Sequence, residues 1–173
     1  FRRQRQMCIR DRAEEAAIEE VVVTGVRGKP RTVQDSPVPI DVFDQEAIED
    51  VAFTDMNDIL RTLAPSYGVR RQPISDGASF IRPATMRGLT TDKTLVLVNG
   101  KRRHRAALVG IGGSGSQGPD LATIPGVAIK SIEILRDGAS ALYGSDAIAG
   151  VMNFILKDNS EGGTISFDSG QFY

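Results

Sequence analysis

Two stretches of the chain carry helical spacing. Met56, Ile59, Leu60 and Leu63 recur at the offsets that gather apolar side chains on one helix face, which predicts a helix starting at Thr54 or Asp55 and stopping before Pro65. Just upstream, Asp44 can cap a shorter helix, with Phe43 before the cap and Ile48 at the fourth helical position as a hydrophobic staple. The rest of the pattern is strand-like or broken. Val38, Ile40 and Val42 alternate with Pro39 and Asp41, predicting a short strand whose proline suits a sheet edge. Residues 93–98 predict a buried strand closed by the Asn99-Gly100 turn. Strands are predicted over 129–136 and 151–157, the second apolar on both faces as in a covered strand. Between them, Asp137-Gly138, Tyr143-Gly144 and Ala149-Gly150 frame a short alanine-rich turn of helix. Residues 67–84, interrupted by Pro73, Gly77 and Pro83, read as loop, 85–88 as the end of a strand, and 110–119 as a glycine-rich loop. At the chain's front, Val21-Val22-Val23 is a strand-forming peptide on a mobile segment, and at its end Ile165 and Phe167 begin a new alternation.

Length and composition narrow the chemistry. The 173 residues, 40% of them hydrophobic and 25% charged, suit one globular domain. One cysteine and one histidine exclude a disulfide framework and a zinc site of the usual kind. No apolar run approaches the about 18 residues of a membrane-spanning helix, whereas the strands of a membrane barrel would escape that criterion. Residues 1–12 hold Arg2, Arg3, Arg5, Arg10 and Arg12 against Asp11, so the net charge of −1 leaves the rest mildly acidic. Their Met7-Cys8-Ile9-Arg10-Asp11-Arg12 stretch resembles translated adapter sequence, and residues 1–12 are set aside as a non-native tail.

Few residues suggest catalysis. Gly110-x-Gly112-x-x-Gly115 has the spacing of a dinucleotide loop, with Glu133 at a plausible distance, but Gly118-Pro119 interrupts the helix that should follow. Gly88 through Lys93-Thr94 lacks the second glycine of a phosphate-binding loop. Lys101, Arg102, Arg103, His104 and Arg105 form a basic cluster without interleaved aromatics, which favours a solvated turn, or one seated against acidic groups, over nucleic-acid binding. His104 among like charges is a poor general base. No nucleophile and base pair off, so no enzymatic activity and no cofactor is expected. Arg87 and Arg136, each at a strand end, are either plain surface arginines or forks seated on carboxylates of a surrounding structure.

One ordered set of motifs resembles a known family. Glu20-Val21-Val22-Val23-Thr24-Gly25, Asp58-Ile59-Leu60 with Pro65, Met86-Arg87-Gly88, Leu95-Val96-Leu97-Val98-Asn99-Gly100-Lys101-Arg102, and the run from Ile132-Glu133-Ile134-Leu135-Arg136 through Tyr143-Gly144-Ser145-Asp146 to Val151-Met152-Asn153 resemble, in order, the plug domain of TonB-dependent outer-membrane receptors. The likeness covers residues 19–158; many family members have Arg-Gly-Pro where this chain has Arg136-Asp137-Gly138. The resemblance implies an α+β plug: a small mixed β-sheet with short helices, followed by the first strand of a transmembrane β-barrel of about 22 strands that is missing here. It divides the chain into a flexible segment at 13–34, a plug at 35–158 and the start of the barrel at 159–173, and implies a gate in the cell outer membrane for energised uptake. Glu19, Glu20, Val21, Val22, Val23, Thr24 and Gly25 would be the TonB box, the periplasmic peptide that pairs with the energy-transducing protein TonB. Arg87 and Arg136 match plug arginines that face glutamates of the barrel wall, and the loops bearing Arg70, Arg71, Lys101, Arg102 and Arg105 would meet a small-molecule substrate. Two other readings stand beside it, a stand-alone periplasmic interaction module and a nucleotide-binding enzyme using Gly110, Gly112 and Gly115.

Overall fold

The computed structural model describes residues 21–22, 31–32, 39–51, 53, 55–69, 76–110, 115–137 and 139–158. In chain order its strands are β1 (Val21–Val22), β2 (Arg31–Thr32), β3 (Ile40–Phe43), β4 (Tyr67–Gly68), β5 (Thr85–Met86), β6 (Thr94–Val98), β7 (Lys101–Arg102), β8 (Ile129–Leu135) and β9 (Gly150–Leu156). The helices are α1 (Gln45–Glu49), α2 (Met56–Leu63) and α3 (Ser140–Tyr143). Five strands make the main sheet in the order β3-β8-β9-β6-β7, while β1 pairs with β2 and β4 with β5. Only the β6–β9 pairing is parallel, so the sheet is mixed, as expected.

Strand registers sort the side chains into two faces. With Ile134 opposite Asp41 and Met152, and Ile132 opposite Phe43 and Phe154, one face gathers Ile132, Ile134, Met152, Phe154 and Val96. These pack with Ile48 of α1, with Met56, Ile59 and Leu60 of α2, and with Tyr67, Met86, Leu121 and Ile124. The opposite face presents Ile40, Leu135, Val151, Leu95 and Leu97 to Ala139, Ala147 and Tyr143 around α3. β9 lies between β8 and β6 with both faces covered, which is why its sequence is almost continuously apolar. The exception is Asn153, fully buried, whose Nδ2 donates to Glu133 Oε2 at 3.1 Å and whose Oδ1 accepts from the Gly100 N–H at 3.0 Å.

Both helix starts follow the sequence. Asp44 Oδ1 accepts from the Ala47 N–H at 2.9 Å, and Asp55 Oδ1 from the Asn57 N–H at 2.9 Å. The Asn99-Gly100 turn has both residues at positive φ, 48° and 74°, as a two-residue hairpin of this twist requires. Residues 67–84 correct the expectation of loop. They contain β4, tied to β5 by backbone pairing and by Thr85 Oγ1 donating to Gly68 O at 2.7 Å, and a 3-10 turn at Asp76–Ser79. Two-residue strands have no alternation to read, and their partners lie far along the chain. Apart from β1 and β2, the segment at 13–34 lies outside the described residues, as do Arg70, Arg71, Gly112 and residues 159–173, where the first barrel strand is expected.

Candidate functional site

Arg87 and Arg136, 49 positions apart in sequence, meet at one end of the sheet. Arg87 follows β5 in a tight turn in which it and Gly88 adopt φ of 56° and 73°, closed by the Leu89 N–H donating to Met86 O at 3.0 Å. A left-handed arginine costs about 1 kcal/mol relative to the ordinary conformation, so the fold holds this side chain where it is against a local preference. From that turn Arg87 Nη1 donates to the backbone carbonyl of Arg136 at 3.1 Å and lies 3.8 Å from the Asp137 carboxylate.

Arg136 stands just past β8, where its N–H donates to Pro39 O at 3.3 Å. Because β3 runs antiparallel beside β8, Asp41 lies diagonally across the ladder from Arg136 on the same face. The guanidinium grips Asp41 with two donors, Nε to Oδ2 and Nη2 to Oδ1. Asp41 raises the pKa of Arg136, keeping it charged at any accessible pH. Both arginine side chains remain about half exposed, 48% for Arg87 and 50% for Arg136, so each keeps donors turned to the surroundings. Spacing alone located both arginines at strand ends. It did not show that they adjoin, nor that Asp41 is the counter-ion, since that contact joins residues 95 positions apart.

A second polar group surrounds the β6–β7 hairpin. Arg102 Nη1 donates to Asp146 Oδ2 at 2.9 Å, Arg102 Nη2 to Tyr143 O, and Arg105 Nη2 to Asp146 Oδ1 at 3.3 Å. The basic cluster is thus seated against an acidic group of another element, the second of the alternatives open to it. Arg103 donates to Thr123 Oγ1 at 2.9 Å. Val98, Asn99, Lys101, Arg102, Arg103 and His104 line an open cavity of about 340 Å³.

The dinucleotide reading fails on geometry. Gly110 pairs with Ser116 in an antiparallel bridge, its N–H donating to Ser116 O at 3.0 Å, and no α-helix lies between Gly115 and β8 to present amides to a pyrophosphate. Glu133, which would have to reach a ribose, is 3% exposed and bound to Asn153 inside the sheet. Among the described residues no group of His, Cys, Asp and Glu side chains could hold a metal ion, and no helix is long and apolar enough to cross a membrane.

Comparison with known proteins agrees with the fold. The family described as TonB-dependent Receptor Plug Domain matches residues 32–151. The iron-regulated outer membrane virulence protein of Vibrio cholerae is 32% identical over 144 residues, 83% of this chain and 21% of that protein. The vitamin B12 transporter BtuB of Photobacterium profundum is 35% identical over 143 residues, with the same coverage of 83% and 21%. The chain therefore spans 21% of the length of these curated relatives. Among solved structures, the siderophore receptor PirA from Acinetobacter baumannii is similar with a TM-score of 0.53 at 30% identity, covering 73% of this chain and 18% of that one. The unliganded ferric citrate transporter FecA has a TM-score of 0.56 over 73% of this chain and 18% of its own; at 21% identity this is a likeness of fold alone. Two of these relatives are named as transporters and one as a receptor. With a family match across most of the chain and relatives above 30% identity, this protein belongs to the plug domains of TonB-dependent receptors of the cell outer membrane.

Proposed function

We propose that this plug gates the lumen of an outer-membrane transporter, closing it until substrate is bound outside and energy arrives from the periplasm, and that it performs no catalysis. The family match over residues 32–151 carries this reading. Residues 19–25 serve as the TonB box: β-branched side chains favour the extended chain that edge-to-edge pairing with TonB needs, and backbone bonds supply the affinity. The strand conformation at Val21–Val22, paired with Arg31–Thr32, supports a segment suited to such pairing. The plug's other partners are the barrel that encloses it and a small-molecule substrate. Relatives named for iron, siderophores and vitamin B12 favour a metal chelate or a molecule of similar bulk.

In this reading Arg87 and Arg136 grip carboxylates of the barrel wall, a use that planar forks with free donors suit. Arg70, Arg71, Lys101, Arg102 and Arg105 attract an anionic substrate. Asp146 offsets part of the charge on Arg102 and Arg105, so their pull is weaker than the sequence suggests. The test is Val22→Pro in the complete receptor. Proline removes a backbone donor, so substrate binding should persist at wild-type affinity while energised uptake stops. Uptake that continues would take residues 19–25 out of the mechanism.

A further inference from the structure

Arg136 is bound three times over to the place where the N-terminal segment joins the sheet. Its N–H holds Pro39 O in the outermost bond between β3 and β8, and Nε and Nη2 hold the Asp41 carboxylate two residues further along β3. Its carbonyl meanwhile accepts from Arg87. β3 is a sheet edge of four residues with one neighbouring strand, so it is the element of the sheet that tension on the preceding segment loads first. A guanidinium has five donors in a fixed plane. Nε and Nη2 are committed to Asp41, which leaves the donors of Nη1 on a side chain that is half exposed.

We propose that Asp41 is a positioning residue that couples the TonB box segment to the arginine grip on the barrel. While β3 is paired, Asp41 clamps one edge of the Arg136 guanidinium and aims the other at a wall carboxylate. When β3 is drawn from the sheet edge, the clamp leaves with it, the fork regains its rotamer freedom and the grip on the wall slackens. The inference rests on the reading of Arg87 and Arg136 as wall contacts. It adds a residue from the pulled strand itself and an order of events, Asp41 before Arg136.

The test uses the complete receptor in cells without TonB, with entry of a large glycopeptide antibiotic that intact outer membranes exclude as the measure of a loosened plug. Arg136→Ala should raise entry several-fold, Asp41→Asn should do the same, and Asp41→Glu, which keeps the carboxylate, should restore exclusion. Substrate affinity should stay at the wild-type value in all of them, which shows that the plug is folded in its barrel. The charge exchange Asp41→Arg with Arg136→Asp rebuilds the ion pair but leaves no fork at position 136, and should stay leaky. Exclusion by Asp41→Asn alongside leakage by Arg136→Ala would overturn the proposal, as would exclusion by the exchanged pair, which would make the contact merely structural. Exclusion by Arg136→Ala would instead overturn the wall-contact reading on which the proposal stands.

Discussion

At the scale of single residues, the tightest constraint lies at Gly150. Its φ is 145°, and a Cβ there would stand 2.7 Å from Leu135 O and 3.1 Å from Met86 Sδ. Methionine can yield but a strand carbonyl cannot, so Gly150→Ala should cost about 2–3 kcal/mol, read as faster hydrogen exchange across β8 and β9 in the receptor. Gly88 and Gly100 also have positive φ but face open space, so their cost is conformational only. Tyr67 shows how burial sets a titration. Its hydroxyl donates to Asn57 Oδ1 at 2.5 Å in the core, and desolvation, reinforced by Asp55, pushes its pKa well above the ordinary value. The folded state therefore keeps a proton that the unfolded chain loses near about pH 10, so this contribution to stability is full below that pH and declines as pH rises through it. Tyr67→Phe should lower stability by about 1–2 kcal/mol at neutral pH, because buried Asn57 loses its donor, and should flatten the alkaline decline. Exchange of the α2 amides between pH 7 and 11 measures both effects. The helical spacing marked neither Tyr67 nor Asn57, because their bond joins α2 to β4, a strand of two residues with no alternation to read.

At the scale of elements, α2 was legible and β4 was not, for reasons of length. α2 has eight residues, one apolar stripe and a capping aspartate, three signals that agree. A helix this short is marginal in isolation, so the burial of Met56, Ile59 and Leu60 against the sheet holds it in place. Asp55 contributes twice, accepting from both the backbone and the side-chain nitrogen of Asn57, each at 2.9 Å. Asp55→Ala should thus cost at least the usual cap penalty of about 1 kcal/mol, measured as reduced exchange protection confined to α2 and its contact with β4. The strands β6, β8 and β9 were legible because five to seven consecutive residues share one bias. The charged pair on β3 was not: Asp41 is the polar member of an ordinary alternation, and nothing local separates it from a solvated aspartate.

For the whole molecule, the decisive feature is the order β3-β8-β9-β6-β7, in which strands from opposite ends of the plug lie side by side. β3 opens the plug and pairs with β8 across about ninety residues, so the segment that carries the proposed TonB box enters the sheet through the strand beside Arg136. The opposite end of β9 lies by the Asn99-Gly100 turn, where Leu156 N–H donates to Asn99 Oδ1 at 2.8 Å before the chain continues toward residues 159–173. Local patterning by itself determined the helices, the long strands, the hairpin turn and, through its ordered motifs, the family. Each of these rests on neighbours in the chain, whose geometry is imposed by backbone sterics and apolar spacing. Only the tertiary structure decided that Arg87 adjoins Arg136, that Asp41 clamps one and Asp146 bridges Arg102 with Arg105, and that Gly110 pairs with Ser116. Those contacts depend on which strand lies beside which, and strand order is set by the burial of both sheet faces at once, a sum over the whole core to which no local pattern points.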